Sequence, residues 1–248
     1  MLNETWKKLQ NGSDIRGVAM EGVEGQPVNL TPEIAKQIAC SFGAWLSERT
    51  GKLLSELTVA VGNDSRLSAG ELNGAVTQGL SMLGITVVDC GLCSTPAMFM
   101  TTVMEGYRYD GSVMLTASHL PFNRNGLKFF TKDGGLEKSD ITAILELAQE
   151  KIYTKAGKPG AIKSLDFIQV YAADLVRKIR NKTGEERPLE GFRILVDAGN
   201  GAGGFYADQV LKPLGACTEG SQFLNPDGSF PNHIPNPEDK TAMASIPV

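Results

Sequence analysis

The chain has 248 residues, of which 42% are hydrophobic and 21% charged, ordinary values for a globular protein of one large domain or two smaller ones. A net charge of −4 offers no basic surface for nucleic acid, and no apolar run is long enough to span a membrane. The four cysteines lack the spacing of a disulfide framework, and the first residues lack the apolar segment of a signal peptide. We therefore expect a cytoplasmic protein with no nucleic-acid or membrane partner.

A polar turn and a long helix are predicted near the start of the chain. Asn11-Gly-Ser-Asp-Ile-Arg-Gly17 is a glycine-flanked turn, and the planar guanidinium of Arg16 suits phosphate oxygens. Thr31 and Pro32 are typical of a helix start, and apolar residues then recur at helical spacing as far as Thr50-Gly51. The aromatic residues of this helix are predicted to serve the core.

Two short apolar runs, Leu57–Val61 and Ile85–Asp89, predict buried strands with a helix over residues 69–83 between them. The first strand leads into a loop in which Asp64 and Arg66 could brace the loop as an ion pair or belong to a ligand site. The second strand leads into Cys90-Gly-Leu-Cys93. A single C-x-x-C in a chain with two histidines favours incidental cysteines over a zinc or redox site.

A third apolar run, Val113–Leu115, leads into a polar loop and then a strand predicted over Gly126–Phe130. The proline, asparagines and glycine of this loop favour a real turn, so Ser118 lies at the exposed end of a buried strand. A serine hydroxyl in that position could carry a phosphoryl group, which nearby cations and turn N–H groups would stabilise. The alternative is a serine that only caps the strand end.

The second half of the chain predicts a helix over residues 138–153, a linker over Lys155–Gly160, a helix over 165–181 and a strand over Arg193–Asp197. That strand leads into Ala198-Gly-Asn-Gly-Ala-Gly-Gly204, and we expect a helix after it. Gly199, Gly201 and Gly204 satisfy the G-x-G-x-x-G pattern, and Glu219 follows about twenty residues later. From the residues alone, a dinucleotide-binding turn remains an open alternative. His233 could bind a metal ion, although a loop-packing role is favoured.

Several motifs together resemble one enzyme family. Thr116-Ala-Ser-His-x-Pro, followed by Asn125-Gly-Leu-Lys128, resembles the phosphoserine loop of the α-D-phosphohexomutases, the phosphoglucomutase/phosphomannomutase enzymes. Asp14-Ile-Arg-Gly17, Gly62-x-Asp-x-Arg-x-Ser68, the glycine-rich turn and the tail Asn225–Glu238 are similar to family segments in the same order. This agreement in order weighs against the dinucleotide alternative.

The resemblance also assigns candidate roles. It implies that Ser118 carries the transferable phosphate, that Lys128 assists proton transfer and that Arg16 faces the phosphoserine. His119 belongs to the same motif and is a further candidate catalytic residue. Leu120 stands where the family usually has asparagine, and Ser13 stands where it often has an aromatic residue.

Two more arginines, Arg66 and Arg124, are candidate substrate or phosphate contacts. The reaction implied by the resemblance interconverts hexose 1-phosphate and hexose 6-phosphate, with a hexose 1,6-bisphosphate as intermediate and activator. The resemblance also implies Mg²⁺, bound by this chain through the phosphate on Ser118, with its other ligands expected beyond residue 248.

For the fold, the resemblance implies an α/β protein. We expect a three-layer α/β/α domain with a mixed sheet over residues 1–155, stable by itself, and most of a second similar α/β domain over 161–248, incomplete at its C-terminus. Family members are longer, so we expect further C-terminal domains to be missing from this chain and the chain alone to be inactive. A sugar-phosphate-binding fragment without catalysis is the remaining alternative.

Overall fold

The structure is a computed structural model that describes residues 1–245; the last three residues of the predicted second domain lie outside the described residues. Its strands are β1 Gln10–Asn11, β2 Asp14–Val18, β3 Thr58–Asn63, β4 Thr86–Leu92, β5 Gly111–Leu115, β6 Arg124–Thr131, β7 Gly134–Gly135 and β8 Ile162–Ser164. Its α-helices are α1 Glu4–Lys7, α2 Pro32–Thr50, α3 Ala69–Met82, α4 Thr95–Val103, α5 Lys138–Glu150, α6 Phe167–Thr183 and α7 Lys240–Ala244. A 3₁₀ turn at Leu54–Glu56 and a π-helical segment at Tyr206–Leu211 complete the described elements.

The eight strands form one mixed sheet in the order β1-β2-β6-β5-β3-β4-β8, with β7 paired to β6. Strand β3 pairs in parallel with both β4 and β5, whereas β6 is antiparallel to β5 and to β2. The carboxyl ends of β3 and β5 therefore open at the same edge of the sheet. This topology brings the loop that contains Arg66 beside the loop that contains Ser118.

Alternate residues of the central strands pack into two apolar layers, as expected for a sheet covered on both faces. Val59 and Val61 of β3 face the layer formed with α2, α3 and α5, whereas Ala60 faces the layer formed with α4 and α6. Strand β5 divides in the same way, with Val113 on the first side and Met114 on the second. The predicted three-layer α/β/α domain with a mixed sheet is confirmed.

Local sequence signals account for most of the element boundaries. Thr31 caps α2 by accepting a hydrogen bond from the Ile34 N–H at 3.3 Å, and Gly51 ends the helix in the left-handed conformation at φ 69°. Ser94 caps α4 in the same way, by accepting a hydrogen bond from the Ala97 N–H at 3.4 Å. The other helices and strands predicted in the first domain are also present, with ends that differ by a few residues.

The strand predicted over Arg193–Asp197 is wrong, because only its two ends are paired. Arg193 bridges Cys217 and Asp197 bridges Gln222, both in parallel. Between these partners the chain turns at Thr218–Ser221, with Gly220 at φ 95°, so no continuous neighbouring strand is available. The helix expected after the glycine-rich turn is the short π-helical segment.

Residues after the predicted linker also contribute to the first domain. Strand β8 follows the linker and adds to the sheet beside β4. Helix α6 packs Phe167 and Tyr171 against the first-domain sheet and Val176 against Val210 of the second domain. The division at 155 and 161 stays a prediction. Across residues 1–245, no helix is long and apolar enough to cross a membrane.

Candidate active site

Ser118 lies just after β5, with its side chain exposed and its backbone in the left-handed region at φ 53°. A non-glycine residue there is strained by about 1–2 kcal/mol and needs support from its surroundings. The Ser118 N–H donates to the Thr116 hydroxyl at 2.9 Å, and the Leu120 N–H closes a turn onto the Ala117 carbonyl at 3.0 Å. The strand end and turn therefore fix the backbone while leaving the Ser118 hydroxyl accessible.

Arg66 stabilises this loop from below, with a fully buried side chain. Its two Nη atoms donate to the main-chain carbonyls of Ser118, Leu120, Pro121 and Arg124 at 2.6–3.0 Å. Its Nε donates to Asp64 at 3.2 Å, so all five N–H groups are used within the protein. The contacts match the predicted bracing role, and they leave no donor for the predicted direct phosphate contact.

Asp64 links Arg66 to the serine. One carboxylate oxygen of Asp64 accepts from Arg66 Nε and from the Thr116 hydroxyl, whose oxygen in turn accepts from the Ser118 N–H. Burial raises the pKa of Asp64 above its ordinary value, and the Arg66 charge opposes that rise. Burial also lowers the pKa of Arg66, and the Asp64 charge opposes that change. The charge of each member of this buried pair therefore opposes the effect of burial on the other.

Two cations lie on the other side of the serine. Arg16 Nη2 donates to the Ser118 hydroxyl at 3.1 Å and to Asp14 Oδ2 at 3.1 Å. Lys128 Nζ donates to the same Asp14 oxygen. Arg16 Nη1 is buried and has no hydrogen-bond partner among the described residues, so it retains a donor for an anion. Asp14 thus orients both cations, and a phosphoryl group on Ser118 would lie beside Arg16.

The Asn125-Gly126 pair explains why these groups can approach each other. A Cβ atom on Gly126 would lie 2.2 Å from the Ile15 carbonyl oxygen and 2.9 Å from Arg16 Cδ, so only glycine fits between the β2 backbone and the Arg16 side chain. Asn125 is fully buried, and its amide donates to the Ser68 hydroxyl at 3.0 Å. Asn125 therefore joins the Ser118 motif directly to the Gly62–Ser68 motif.

A cavity of about 390 Å³ lies between Ser118 and the second part of the chain. Ser118 and Ser65 line it on one side, and Gly199, Phe230 and His233 line it on the other. A cavity of this size suits a small organic ligand. The exposed serine thus lines a partly open cavity rather than a flat surface.

Comparisons with known proteins identify the family. The family model described as phosphoglucomutase/phosphomannomutase, alpha/beta/alpha domain I, matches residues 7–155, and the model for domain II matches residues 169–246. The chain belongs to the phosphoglucomutase/phosphomannomutase family. The family and fold predicted from the sequence are confirmed.

Individual phosphohexomutases match over most of this chain. A phosphoglucomutase of Neisseria meningitidis is 34% identical over 226 residues, which cover 90% of this chain and 44% of that protein. A phosphoglucomutase/phosphomannomutase of Thermococcus kodakarensis is 32% identical over 241 residues, covering 94% of this chain and 48% of that protein. A solved family structure from Burkholderia thailandensis superposes with a TM-score of 0.79 at 27% identity, covering 99% of this chain and 50% of that one. The chain thus spans about half the length of these relatives.

The two remaining predicted site residues, Arg124 and His119, form no side-chain hydrogen bond with Ser118 within residues 1–245. Arg124 Nη2 donates to Gln26 Oε1 at 2.8 Å, and its side chain lines a second cavity together with Arg16. His119 is exposed and makes no side-chain hydrogen bond within residues 1–245. Their predicted roles in phosphate binding and catalysis stay predictions.

The glycine-rich turn does not have the form of a dinucleotide site. A Cβ on Gly204 would lie 1.9 Å from the Leu224 carbonyl oxygen, and one on Gly199 would lie 2.9 Å from His233 Cε1. These glycines therefore make room for the protein's own chain. A dinucleotide turn would also need a regular helix whose N-terminus faces the pyrophosphate, and a six-residue π-helical segment follows instead.

Metal and redox alternatives find no support in the described part of the chain. Cys90 and Cys93 are buried thiols whose pKa values are raised by burial, which makes them unreactive. His233 Nε2 lies 3.1 Å from both oxygens of Asp197, and its Nδ1 lies 2.8 Å from the Ile234 carbonyl oxygen. His233 thus fastens a loop. Among residues 1–245, no group of three His, Cys, Asp or Glu side chains is placed to hold a metal ion.

Two site residues, Asp14 and Thr116, were part of recognised motifs but had no predicted role. The strand pattern contains a signal for Asp14. Asp14 and Arg16 are two residues apart in β2 and share a face, and the pairing of Ile15 with Leu127 brings Lys128 opposite Asp14. Thr116 carries no comparable signal, because its hydrogen bonds depend on the contact between two loops distant in sequence.

Proposed function

We propose that the protein interconverts hexose 1-phosphate and hexose 6-phosphate, with Ser118 as the residue that carries the transferable phosphoryl group. The observation that supports this role best is the exposed Ser118 hydroxyl, 3.1 Å from Arg16 Nη2. Family membership supports the reaction class. The activity of the longer relatives is extended to this chain only as part of this proposal.

The proposed transfer begins with phosphoserine. A hydroxyl oxygen of the hexose monophosphate attacks phosphorus, the bond from phosphorus to Ser118 Oγ breaks, and a hexose 1,6-bisphosphate forms. The reverse transfer of the other phosphate restores phosphoserine and releases the isomer. In each direction one proton moves between the sugar hydroxyl and Ser118 Oγ, and Lys128 is the proposed carrier.

Positioning and charge are the main contributions that a protein makes to phosphoryl transfer. Arg16 is proposed to bind the transferring group through Nη2 and through its unpartnered Nη1. Asp14 keeps Arg16 and Lys128 in place. Arg66 is proposed to act indirectly, because its hydrogen bonds to four loop carbonyls set the direction of the Ser118 side chain.

Magnesium binding remains a proposal, because the described residues of this chain offer few ligands for the ion. Asp14 and Asp64, the carboxylates next to the site, both form ion pairs with the protein's own cations. The described residues therefore do not form a magnesium site, and a phosphate oxygen on Ser118 is the contribution we propose. A bound magnesium ion would offset charge on the transferring phosphoryl group. The predicted cytoplasmic location stays a prediction.

Phosphate labelling tests the proposal. The protein at its natural full length is incubated with glucose 1,6-bisphosphate and Mg²⁺, and phosphorylated peptides are mapped by mass spectrometry. We expect label on Ser118 and none after Ser118→Ala, whereas Ser139→Ala, which removes an exposed serine of helix α5, should label normally. Label confined to another residue would refute the assignment. Sugar phosphate binding without any label would favour the non-catalytic alternative.

A further inference from the structure

A segment of the second domain reaches across to the arginine beneath the Ser118 loop. The backbone of Gly228 forms a parallel bridge with Arg66. Two residues later, the ring centroid of Phe230 lies 5.4 Å from the Arg66 guanidinium carbon. The main chain and the side chain of Arg66 are therefore both contacted by the same short segment.

Gly228 fits this contact because it has no side chain. A Cβ atom there would lie 2.2 Å from the Ser65 carbonyl oxygen and 2.5 Å from the Leu67 nitrogen. Both are backbone atoms and cannot rotate away. The close approach of the two main chains therefore requires glycine at residue 228.

Phe230 covers a group whose N–H donors are all occupied. The five N–H groups of Arg66 lie in the guanidinium plane and point at Asp64 and at four loop carbonyls, so any rotation of that plane would disturb the loop. An aromatic ring over the face of a guanidinium is attracted to it by about 0.5–2 kcal/mol. Phe230 also lines the cavity that Ser118 faces.

The segment is anchored in the second domain. The Asp227 N–H donates to the Asn200 carbonyl at 2.8 Å, and Asn232 donates to the Asn200 side chain at 2.7 Å. The Phe230 N–H closes a turn onto the Asp227 carbonyl, and this turn maintains Phe230 at φ 51°. A left-handed phenylalanine is costly, so the turn must be stabilised by its contacts.

We propose that Phe230 and Gly228 are positioning residues, through which the second domain fixes the guanidinium of Arg66 and hence the Ser118 loop. The catalytic part of this inference rests on the proposed phosphoryl transfer at Ser118. The structural part rests only on the contacts among Phe230, Gly228, Arg66 and the loop carbonyls.

Hydrogen–deuterium exchange on the 248-residue chain tests the structural part. Phe230→Leu keeps an apolar side chain but removes the ring, and Phe230→Tyr restores it. We expect amides of residues 118–124 to exchange several-fold faster in Phe230→Leu and at the original rate in Phe230→Tyr. Phe192→Leu, which alters an exposed phenylalanine elsewhere in the second domain, is the matched control. Unchanged exchange in Phe230→Leu would overturn the proposal, as would an equal increase in Phe192→Leu.

Labelling of Ser118 tests the catalytic part in the protein at its natural full length. With glucose 1,6-bisphosphate, we expect Phe230→Leu to lower the maximal labelling rate about ten-fold at an unchanged half-saturating concentration, and Phe230→Tyr to restore it. An equal rate in Phe230→Leu and wild type would overturn the proposed positioning role. Absence of label in wild type would refute the proposed function instead, and the exchange result would still decide whether Phe230 positions the loop.

Discussion

The Ser118 loop and the glycine-rich turn at residues 198–204 share a backbone signature but differ in what surrounds them. Each follows an apolar segment, and each contains one non-glycine residue in the left-handed region, Ser118 at φ 53° and Asn200 at φ 59°. Ser118 directs its hydroxyl outwards beside Arg16. Asn200 directs its side chain inwards, where it donates to the Asn225 carbonyl and accepts from Asn232.

The glycines next to the two left-handed residues also differ in what approaches them. A Cβ on Gly126, in the strand after the Ser118 loop, would meet the Ile15 carbonyl oxygen at 2.2 Å and the Arg16 side chain at 2.9 Å, whereas the nearest atoms to a Cβ on Gly204 all belong to the Leu224 main chain. Both glycines therefore admit backbone, but only Gly126 also admits the side chain of a cation. A glycine pattern by itself does not distinguish a phosphate-binding turn from a packing turn. The two are distinguished by which residue occupies the space that the missing glycine side chain leaves.

The largest expected effect is at Arg66, which has no counterpart in the glycine-rich turn. Arg66→Ala removes the partner of buried Asp64 and leaves four loop carbonyls without their donor, so we expect a loss of about 3–5 kcal/mol in the free energy of unfolding. Urea unfolding measures it. Arg49→Ala, which breaks a partly exposed ion pair, should cost less than about 1 kcal/mol. Similar losses in the two variants would show that the buried network contributes little.

A smaller loss of stability is expected at Gly204, where the Leu224 main chain occupies the space next to the glycine. Gly204→Ala places a methyl group 1.9 Å from the Leu224 carbonyl oxygen, and we expect a cost of about 1–3 kcal/mol from the forced displacement. Gly203→Ala is the matched control, since a Cβ there meets nothing within 4 Å. We expect Gly203→Ala to change the midpoint of urea unfolding little. Equal destabilisation by both variants would contradict the packing role of Gly204.

The pH dependence of stability tests the contact between His233 and Asp197. The hydrogen bond to the Ile234 carbonyl raises the pKa of His233, burial opposes it, and Asp197 raises it further. A histidine whose pKa is raised in the folded state stabilises that state fully when the pH is below the unfolded pKa of about 6.5. This stabilisation is lost as the pH rises through the folded-state pKa. We expect the melting temperature of the protein to fall as the pH rises from about 6.5 through the folded-state pKa of His233, and His233→Gln to flatten the fall. A wild-type profile as flat as that of the variant would contradict the ion pair.

The smallest expected effect separates the two left-handed residues. Ser118→Gly and Ser118→Ala both remove the hydroxyl, but glycine relieves the backbone strain, so we expect Ser118→Gly to be about 0.5–1 kcal/mol more stable than Ser118→Ala. Asn200→Gly should instead destabilise, because the hydrogen bonds of the side chain are lost. Urea unfolding of the three variants checks this order. Stabilisation by Asn200→Gly would show that the two loops do not differ as described.

Much of the first domain could be predicted from the sequence because its signals are local. The cap at Thr31, the apolar run before Ser118 and the turn residues after it each act within a few positions. The second domain was harder to predict, since the strand expected over Arg193–Asp197 depends on a partner segment that turns away at Gly220. Strand β8 went unpredicted, because all three of its residues are exposed and its pairing with β4 is non-local.

The residues of the candidate site also divide into those that the sequence predicts and those that it does not. Ser118, Arg16 and Lys128 were predicted because they stand in motifs with a recognisable spacing. The contact of Phe230 with Arg66 had no sequence signal, since it joins residues more than 160 positions apart in a segment without regular structure. Contacts of this kind depend on the final packing of two domains, and periodicity in either one does not reveal them.

Helix α6 packs against both parts of the chain, and this ties their folding together. A chain cut at the linker would leave Ala60, Val88 and Met114 without the cover of Phe167 and Tyr171. The separated first domain would then expose an apolar surface. We expect this domain to self-associate through that surface even if its sheet is intact. During synthesis, the sheet face of the first domain that α6 covers therefore stays exposed until α6 has left the ribosome.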